Sequence, residues 1–505
     1  MFSSRREVES LSDSGKTSSW ALAVVAVAVL AGPSALWPGT VVLKVFDEKG
    51  QGIPYDFRQF KDVSNCKTNR GWDTDCLLRA GDYDCLKMQP LHEKGADAAF
   101  DFGERCVLSV AWPTENTGYS NLFLDNEGQG WGCDAEVVFN FQAARDCWKR
   151  LNDALAARPQ YVPSQRFQAL RAEAQARLAQ AKSAGSDADR GKHGQVALDQ
   201  ILQAYETLLR DYGIQRSKAL RGRGLRWGFT LDRRARFKEH CASIKELVGN
   251  SDNGWIRIVC DRENAPPYYQ DMVNEAKAQG LHVLLQVLDS VDNRAPLDEV
   301  EARVAAYVDF YKEAVDAYEI GNEVNMEDFP DMPQKLEFAA QYVRDKAPGA
   351  EIAVVLFWQL GSGFGKENGA YTLFHWINHK ALPSKTLMEN VDVWHLSMYH
   401  EGYPMGAACL DEVATRLQKL FPGKKIGLGE LDYWMKGTDK VWRWRRAEDP
   451  TGQTRREFFD WHYAAMAGYE RSVLGGFWWG FIQEMQPPNE LWQTARQLYC
   501  EMNPQ

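Results

Sequence analysis

Two acidic residues stand at the ends of runs that read as strands. Tyr318-Glu319-Ile320-Gly321-Asn322-Glu323-Val324-Asn325 closes on an adjacent amide and carboxylate, and Lys425-Ile426-Gly427-Leu428-Gly429-Glu430 closes on a second carboxylate. A pair of carboxyls brought to one cleft can divide acid and base work. In cleavage of a glycosidic bond, one donates a proton to the leaving oxygen while the other captures or stabilises an oxocarbenium-like sugar. A gap of about 5 to 5.5 Å gives double displacement with retention, and a wider one admits water and gives inversion. Neither route requires a cofactor.

The elements that must position these groups can be counted. Met326-Glu327-Asp328-Phe329-Pro330 reads as a loop after the first strand, and a helical stretch follows over 333–346. Between the two carboxylates there is room for three strand–helix units of roughly 35 residues, the size of a repeat in an eight-fold β/α barrel. Strand candidates fall at 225–230, 254–260, 281–287, 318–323, 351–358, 391–399, 425–430 and 476–481. Most are separated by helical segments, which predicts an α/β chain whose catalytic part is a (β/α)8 TIM barrel. In such a barrel the C-terminal strand ends share one mouth. Period-two alternation turns Arg257 into the barrel with Trp255 and Val259, and places His395, Ser397 and Tyr399 on one face.

With these residues in place, the chain resembles the retaining glycoside hydrolases of clan A over roughly Leu225 to the C-terminus, without picking out one family of the clan. The resemblance implies that Glu323 is the acid/base, Glu430 the nucleophile, and Asn322 a contact to a sugar hydroxyl. It also implies that Arg257 keeps the nucleophile ionised, that Tyr399 hydrogen-bonds it, and that one Trp of Phe477-Trp478-Trp479-Gly480, here Trp478, lies below the cleaved sugar. His395 reads as a satisfied core histidine. Where some clan members carry a His near position 397, this chain has Ser397. An acid and an ionised partner at one pH require a raised pKa on Glu323, from partial burial and the charge of Glu430.

Other stretches bear on the substrate. Trp442 and Trp444 interleave with arginines in Lys436–Arg446, a loop after the seventh strand, and Asp232-Arg233-Arg234 follows the first. Such residues can stack on sugar rings and pair with the carboxylates of an acidic polysaccharide, or simply form a solvated basic loop.

At 505 residues and 45% hydrophobic content, the chain has material for two or three domains. A net charge of -10 argues against a nucleic-acid partner. Residues 1–38 hold arginines and a lysine, then a mostly apolar run from Trp20 to Leu36. This is short for a bilayer span and suits a signal peptide or an N-terminal membrane anchor, placing the protein outside the cytoplasm. Residues 39–141 read as a cysteine-rich, β-sandwich-like domain. Six of the ten cysteines (Cys66, Cys76, Cys85, Cys106, Cys133 and Cys147) fall there or just beyond, as expected for disulfides in an exported chain. No Cys-x-x-Cys knuckle or matching His pair signals a metal. Asp125-Asn126-Glu127-Gly128 could offer oxygen ligands to calcium but reads first as a plain turn. Residues 142–224 read as a helical hairpin, with stripes at Phe167 to Ala181 and Leu198 to Leu209 that pack on protein rather than membrane, and 225–505 as the barrel. The function read from all this is a retaining, endo-acting glycosidase on an exported polysaccharide. A transglycosidase, a non-catalytic polysaccharide-binding or assembly protein, and a partner-binding scaffold are the alternatives.

Overall fold

The computed structural model describes residues 38–53, 77–88, 90–249, 252–358, 371–399, 405–433, 449 and 451–504. The apolar run at Trp20 to Leu36, Cys66, Cys76, Trp442 and Trp444 lie outside the described residues. Among the described residues no helix is long and apolar enough to cross a membrane.

Eight parallel strands close into a barrel in strict chain order. They are β9 (Arg226–Leu231), β10 (Gly254–Val259), β11 (His282–Gln286), β12 (Ala317–Glu319), β13 (Glu351–Phe357), β14 (Val393–Tyr399), β15 (Lys425–Asp432) and β16 (Ser472–Trp478). Alternation sorts their side chains. Trp255, Leu284, Ala317, Ala353, Val393, Val473 and Phe477 form an apolar plug inside the barrel, while Ile256, Leu285, Leu396 and Leu428 face the surrounding helices. At the N-terminal end, Glu351 accepts from both Arg226 and Lys425, closing that rim with charge.

Before the barrel, the described residues form eight short strands in two four-stranded sheets, ordered β4-β5-β1-β8 and β3-β2-β6-β7. These are β1 (Gly39–Lys44), β2 (Leu77–Arg79), β3 (Cys85–Met88), β4 (Leu91–Lys94), β5 (Asp97–Phe102), β6 (Val107–Thr114), β7 (Gly118–Leu124) and β8 (Ala135–Val138). A tight hairpin follows β1, with Phe46 bridged to Gly52. The turn after β7 keeps its carboxylates for arginines, Asp125 meeting Arg150 and Glu127 meeting Arg145. Cys85, Cys106, Cys133 and Cys147 are free thiols, so the expected disulfide framework is not formed among the described residues. Cys106 and Cys147 are instead packed in apolar surroundings, the ordinary place for an unbonded cysteine.

Three helices follow, Phe139–Ala156, Gln165–Ser183 and Asp187–Leu220. The last two form an antiparallel hairpin, and the Ser186 hydroxyl caps the second by accepting from the Asp189 amide. The stripe from Leu198 to Leu209 is buried, and this helix packs on the barrel helices Gln453–Met466 and Gly406–Leu420. Close approach is set by Gly213, where an added Cβ would sit 1.8 Å from the Ala464 carbonyl oxygen. Residues Trp37–Gln505 make one compact unit.

Candidate active site

The C-terminal barrel mouth gathers Glu323, Glu430, Asn322, Arg257 and Tyr399. Each arrives by a local feature of its strand. Arg257 stands on β10 at an inward position and is fully buried. Its Nε and Nη2 donate to the two oxygens of Glu319 on β12 at 2.8 and 2.6 Å, and its Nη1 donates to Glu430 Oε2 at 2.9 Å. Burial works against the guanidinium charge, but the Glu319 and Glu430 carboxylates outweigh it and hold Arg257 firmly ionised.

Glu430 depends on a bulge. Leu428 and Leu431 both face the outer helices, so the chain between them does not alternate. The β14–β15 register slips between Leu396 and Ser397, skipping Gly429, and pairs Ser397 with Glu430. A Cβ at Gly429 would meet Val355 Cγ2 at 2.6 Å, so only glycine fits this extra residue. The bulge turns Glu430 inward. Its Oε2 accepts from Arg257 and, at 3.2 Å, from Asn322 Nδ2, and its Oε1 accepts from the Tyr399 hydroxyl. Acceptance at both oxygens is the hydrogen-bonding pattern of a carboxylate. Burial and the neighbouring Glu430 raise the Tyr399 hydroxyl well above its ordinary value, so it remains a donor.

Glu323 sits just past β12. The strand itself is shorter than its sequence signature, but the backbone continues to pair with β13 through Ile320 N–H to Ala353 O and Val355 N–H to Gly321 O, both 3.0 Å. Glu323 then adopts φ +48°, a left-handed conformation uncommon for a residue with a side chain. The residue is 7% exposed, and its Oε1 accepts from the Ser397 hydroxyl at 2.6 Å. Burial first, and the charge of Glu430 second, push its pKa up from 4.5 to about 8. Since Ser397 donates to Glu323 and lies opposite Glu430 in the strand register, the two carboxyls belong to one site.

Asn322 joins these groups to a further acid, its Nδ2 also reaching Asp289 Oδ1 at 3.3 Å. Gln286 Nε2 donates to the same oxygen at 2.9 Å. The Asn322 amide oxygen is buried with no protein partner.

The structure corrects two expectations. Trp478 is fully buried on the outer face of β16, 5.4 Å from Phe459 and 6.4 Å from Phe458. Trp479 is the half-exposed neighbour, with the Arg257 guanidinium 5.7 Å from its ring centre. The strand begins at Ser472, earlier than its sequence pattern, with Leu474, Gly475 and Gly476 all at positive φ, and Phe477 fills the inward place. His395 is a core residue as expected, but not a satisfied one: neither ring nitrogen has a partner, and burial, then Arg226 and Arg257, drive its pKa far below 6.5. It is neutral. Of the basic residues after β9, Arg234 meets Asp271, and Arg233 stays exposed beside Asp232.

Sequence reasoning assigned no role to Glu319, Ser397, Asp289 or Trp479. Glu319 carried a usable signal, because an ionisable residue at an inward barrel position must find a charge partner. Ser397 and Asp289 carried none that distinguishes them from ordinary residues at a strand end.

No family model matches the chain, and no curated protein matches it in sequence. Among solved structures, it is similar to an endo-β-1,4-mannanase from Thermotoga petrophila, at 12% identity over 56% of this chain and 78% of that one, with a TM-score of 0.39. It is also similar to a thermostable mutant of a xylanase from Cellvibrio japonicus, at 15% identity over 55% and 97% of the two chains and a TM-score of 0.39. A third is a family 17 β-1,3-glucanosyltransferase from Rhizomucor miehei, at 13% identity over 50% and 85%, with a TM-score of 0.34.

Proposed function

We propose that the chain is a retaining glycoside hydrolase that cleaves an extracytoplasmic polysaccharide internally by double displacement. The observation that carries this is the unequal pair at the barrel mouth: Glu323 buried, holding a proton up to about pH 8, and Glu430 accepting from three donors. Glu323 protonates the glycosidic oxygen as the bond breaks. Glu430 attacks the anomeric carbon from the opposite face, and a glycosyl ester forms as the alcohol departs. Glu323, now ionised, takes a proton from water, which attacks the same carbon and releases Glu430. Arg257 and Tyr399 hold Glu430 in line, and Asn322, beside it, is placed to meet the hydroxyl next to the anomeric carbon. Trp479, rather than Trp478, offers the sugar a ring face. The compartment rests on the apolar segment at Trp20 to Leu36, and a preference for acidic polymers on Trp442, Trp444 and their arginines.

The test is reducing-end release from a panel of neutral and acidic polysaccharides by the wild type, Glu323→Ala and Glu430→Ala. Release by the wild type and a loss of at least about 100-fold in each variant supports the proposal. Glycan binding without release by the wild type points to a binding or assembly protein instead. Activity on neutral glucans alone removes the acidic preference.

A further inference from the structure

A second cluster of chemically competent side chains lies away from the barrel mouth, where the N-terminal sheets meet the barrel. Asp84 stands on the turn between β2 and β3. His375 and His379 follow β13, on the short Leu373–Trp376 helix and the π-helical Ile377–Ala381 that continues it. Residues four apart on a helix share a face, and the two imidazole centres are 4.2 Å apart. His375 Nδ1 lies 2.7 Å from one oxygen of Asp84, and His379 Nε2 lies 2.6 Å from the other. All three donor atoms fall within 4.8 Å of one another.

Both sides of the cluster are held in place before any ligand arrives. The Cys85 amide donates to Asp84 Oδ1 at 2.7 Å, and the Asp84 carbonyl accepts from the Ala80 amide at 2.9 Å. Tyr83, at φ +70°, packs its ring 5.0 Å from Phe123 and 5.9 Å from Phe374, the residue before His375. Its hydroxyl accepts from Arg150 at 2.9 Å. Two imidazole nitrogens and one carboxylate thus converge on a single point, a donor set that one divalent cation can share.

We propose that Asp84, His375 and His379 bind a divalent transition metal, with Zn2+ favoured by the two-imidazole, one-carboxylate donor set. Tetrahedral zinc spaces its donor atoms about 3.3 Å apart, so modest side-chain rotation from the present separations admits the ion. Three protein ligands leave a fourth position to water, on the side where the His379 side chain is 53% exposed. The metal clips the β2–β3 turn to the barrel across a separation of 291 residues. The sequence reading did not bring this group together, because Asp84 is so distant along the chain from the His pair.

The experiment is zinc titration of the full chain, carrying no histidine tag and stripped with a chelator. Stoichiometry is read by elemental analysis and affinity by calorimetry. The expected result is one zinc per chain, with binding weakened more than about 100-fold in His375→Ala/His379→Ala. Zinc should raise the melting temperature of the wild type and not of that variant, Mg2+ should not substitute, and Co2+ should give visible absorption bands that the variant lacks. His379→Ala alone, at a half-exposed position, gives a second variant whose fold is safe. A folded, stripped wild type that takes up no more zinc than the double variant overturns the proposal, as does uptake indifferent to both substitutions.

Discussion

At Glu323, burial and the charge of Glu430 act in the same direction, and both favour the protonated acid. Two outcomes follow at pH values that can be named. The basic limb of kcat/KM should fall with an apparent pKa near 8 in a pH–rate profile, and a profile flat to pH 9.5 would contradict the role of acid. Stability should move with it. The folded pKa is raised above 4.5, so the contribution of the proton is complete below about pH 4.5, erodes as pH rises, and is gone above about pH 8. Glu323→Gln does not titrate, so its melting temperature should gain on that of the wild type between pH 5 and 9. Tyr399 offers a third test. Tyr399→Phe removes a donor to a charged group and should lower kcat/KM about 10- to 100-fold with little change in melting temperature.

Among the elements, Arg257 joins three strands, β10 through its own backbone, β12 through Glu319 and β15 through Glu430. Arg257→Leu leaves two buried carboxylates without a counterion and should cost about 3 to 5 kcal/mol in chemical denaturation. Arg257→Met with Glu319→Leu should recover much of that stability yet not the activity, because Glu430 still lacks its guanidinium. The barrel itself was legible, since eight strand patterns at regular spacing admit few other architectures, and the positions of Arg257 and Tyr399 followed from alternation. Alternation failed where the backbone departs from it. Counted strictly from Gly427, which packs against His395 inside the barrel, Glu430 would face outward; the Gly429 bulge reverses that. On β16, the positive-φ run through Leu474, Gly475 and Gly476 and the inward Phe477 left Trp478 outside. Bulges and left-handed residues leave weak traces in a single sequence because glycine serves many purposes.

Over the whole molecule, the N-terminal sheets and helices pack on the barrel through charge as well as apolar contact. Arg158 meets Asp411, which also accepts from Tyr205 at 2.7 Å and Tyr469 at 3.0 Å. Arg210 grips Asp460 with two bonds, at 2.5 and 2.9 Å. The helical stripes were readable from periodicity, but their partners were not, because those lie some 200 to 250 residues away in the chain. Residues 225–505 alone would expose the apolar face that covers Leu198 to Leu209. That fragment should aggregate or melt well below the full chain, and a soluble fragment of equal melting temperature would contradict the packing. Gly213→Val, which forces the helices apart at Ala464, should cost about 1 to 3 kcal/mol by thermal denaturation.

The most direct measurement is azide rescue. In Glu430→Ala, the acid survives and the nucleophile is gone, so azide should restore turnover and yield a glycosyl azide of inverted configuration. In Glu323→Ala, azide should instead speed breakdown of the glycosyl-enzyme on substrates with good leaving groups and give retention. Failure of azide to act on Glu430→Ala, together with inverted product from the wild type, would show that Glu430 is not the nucleophile.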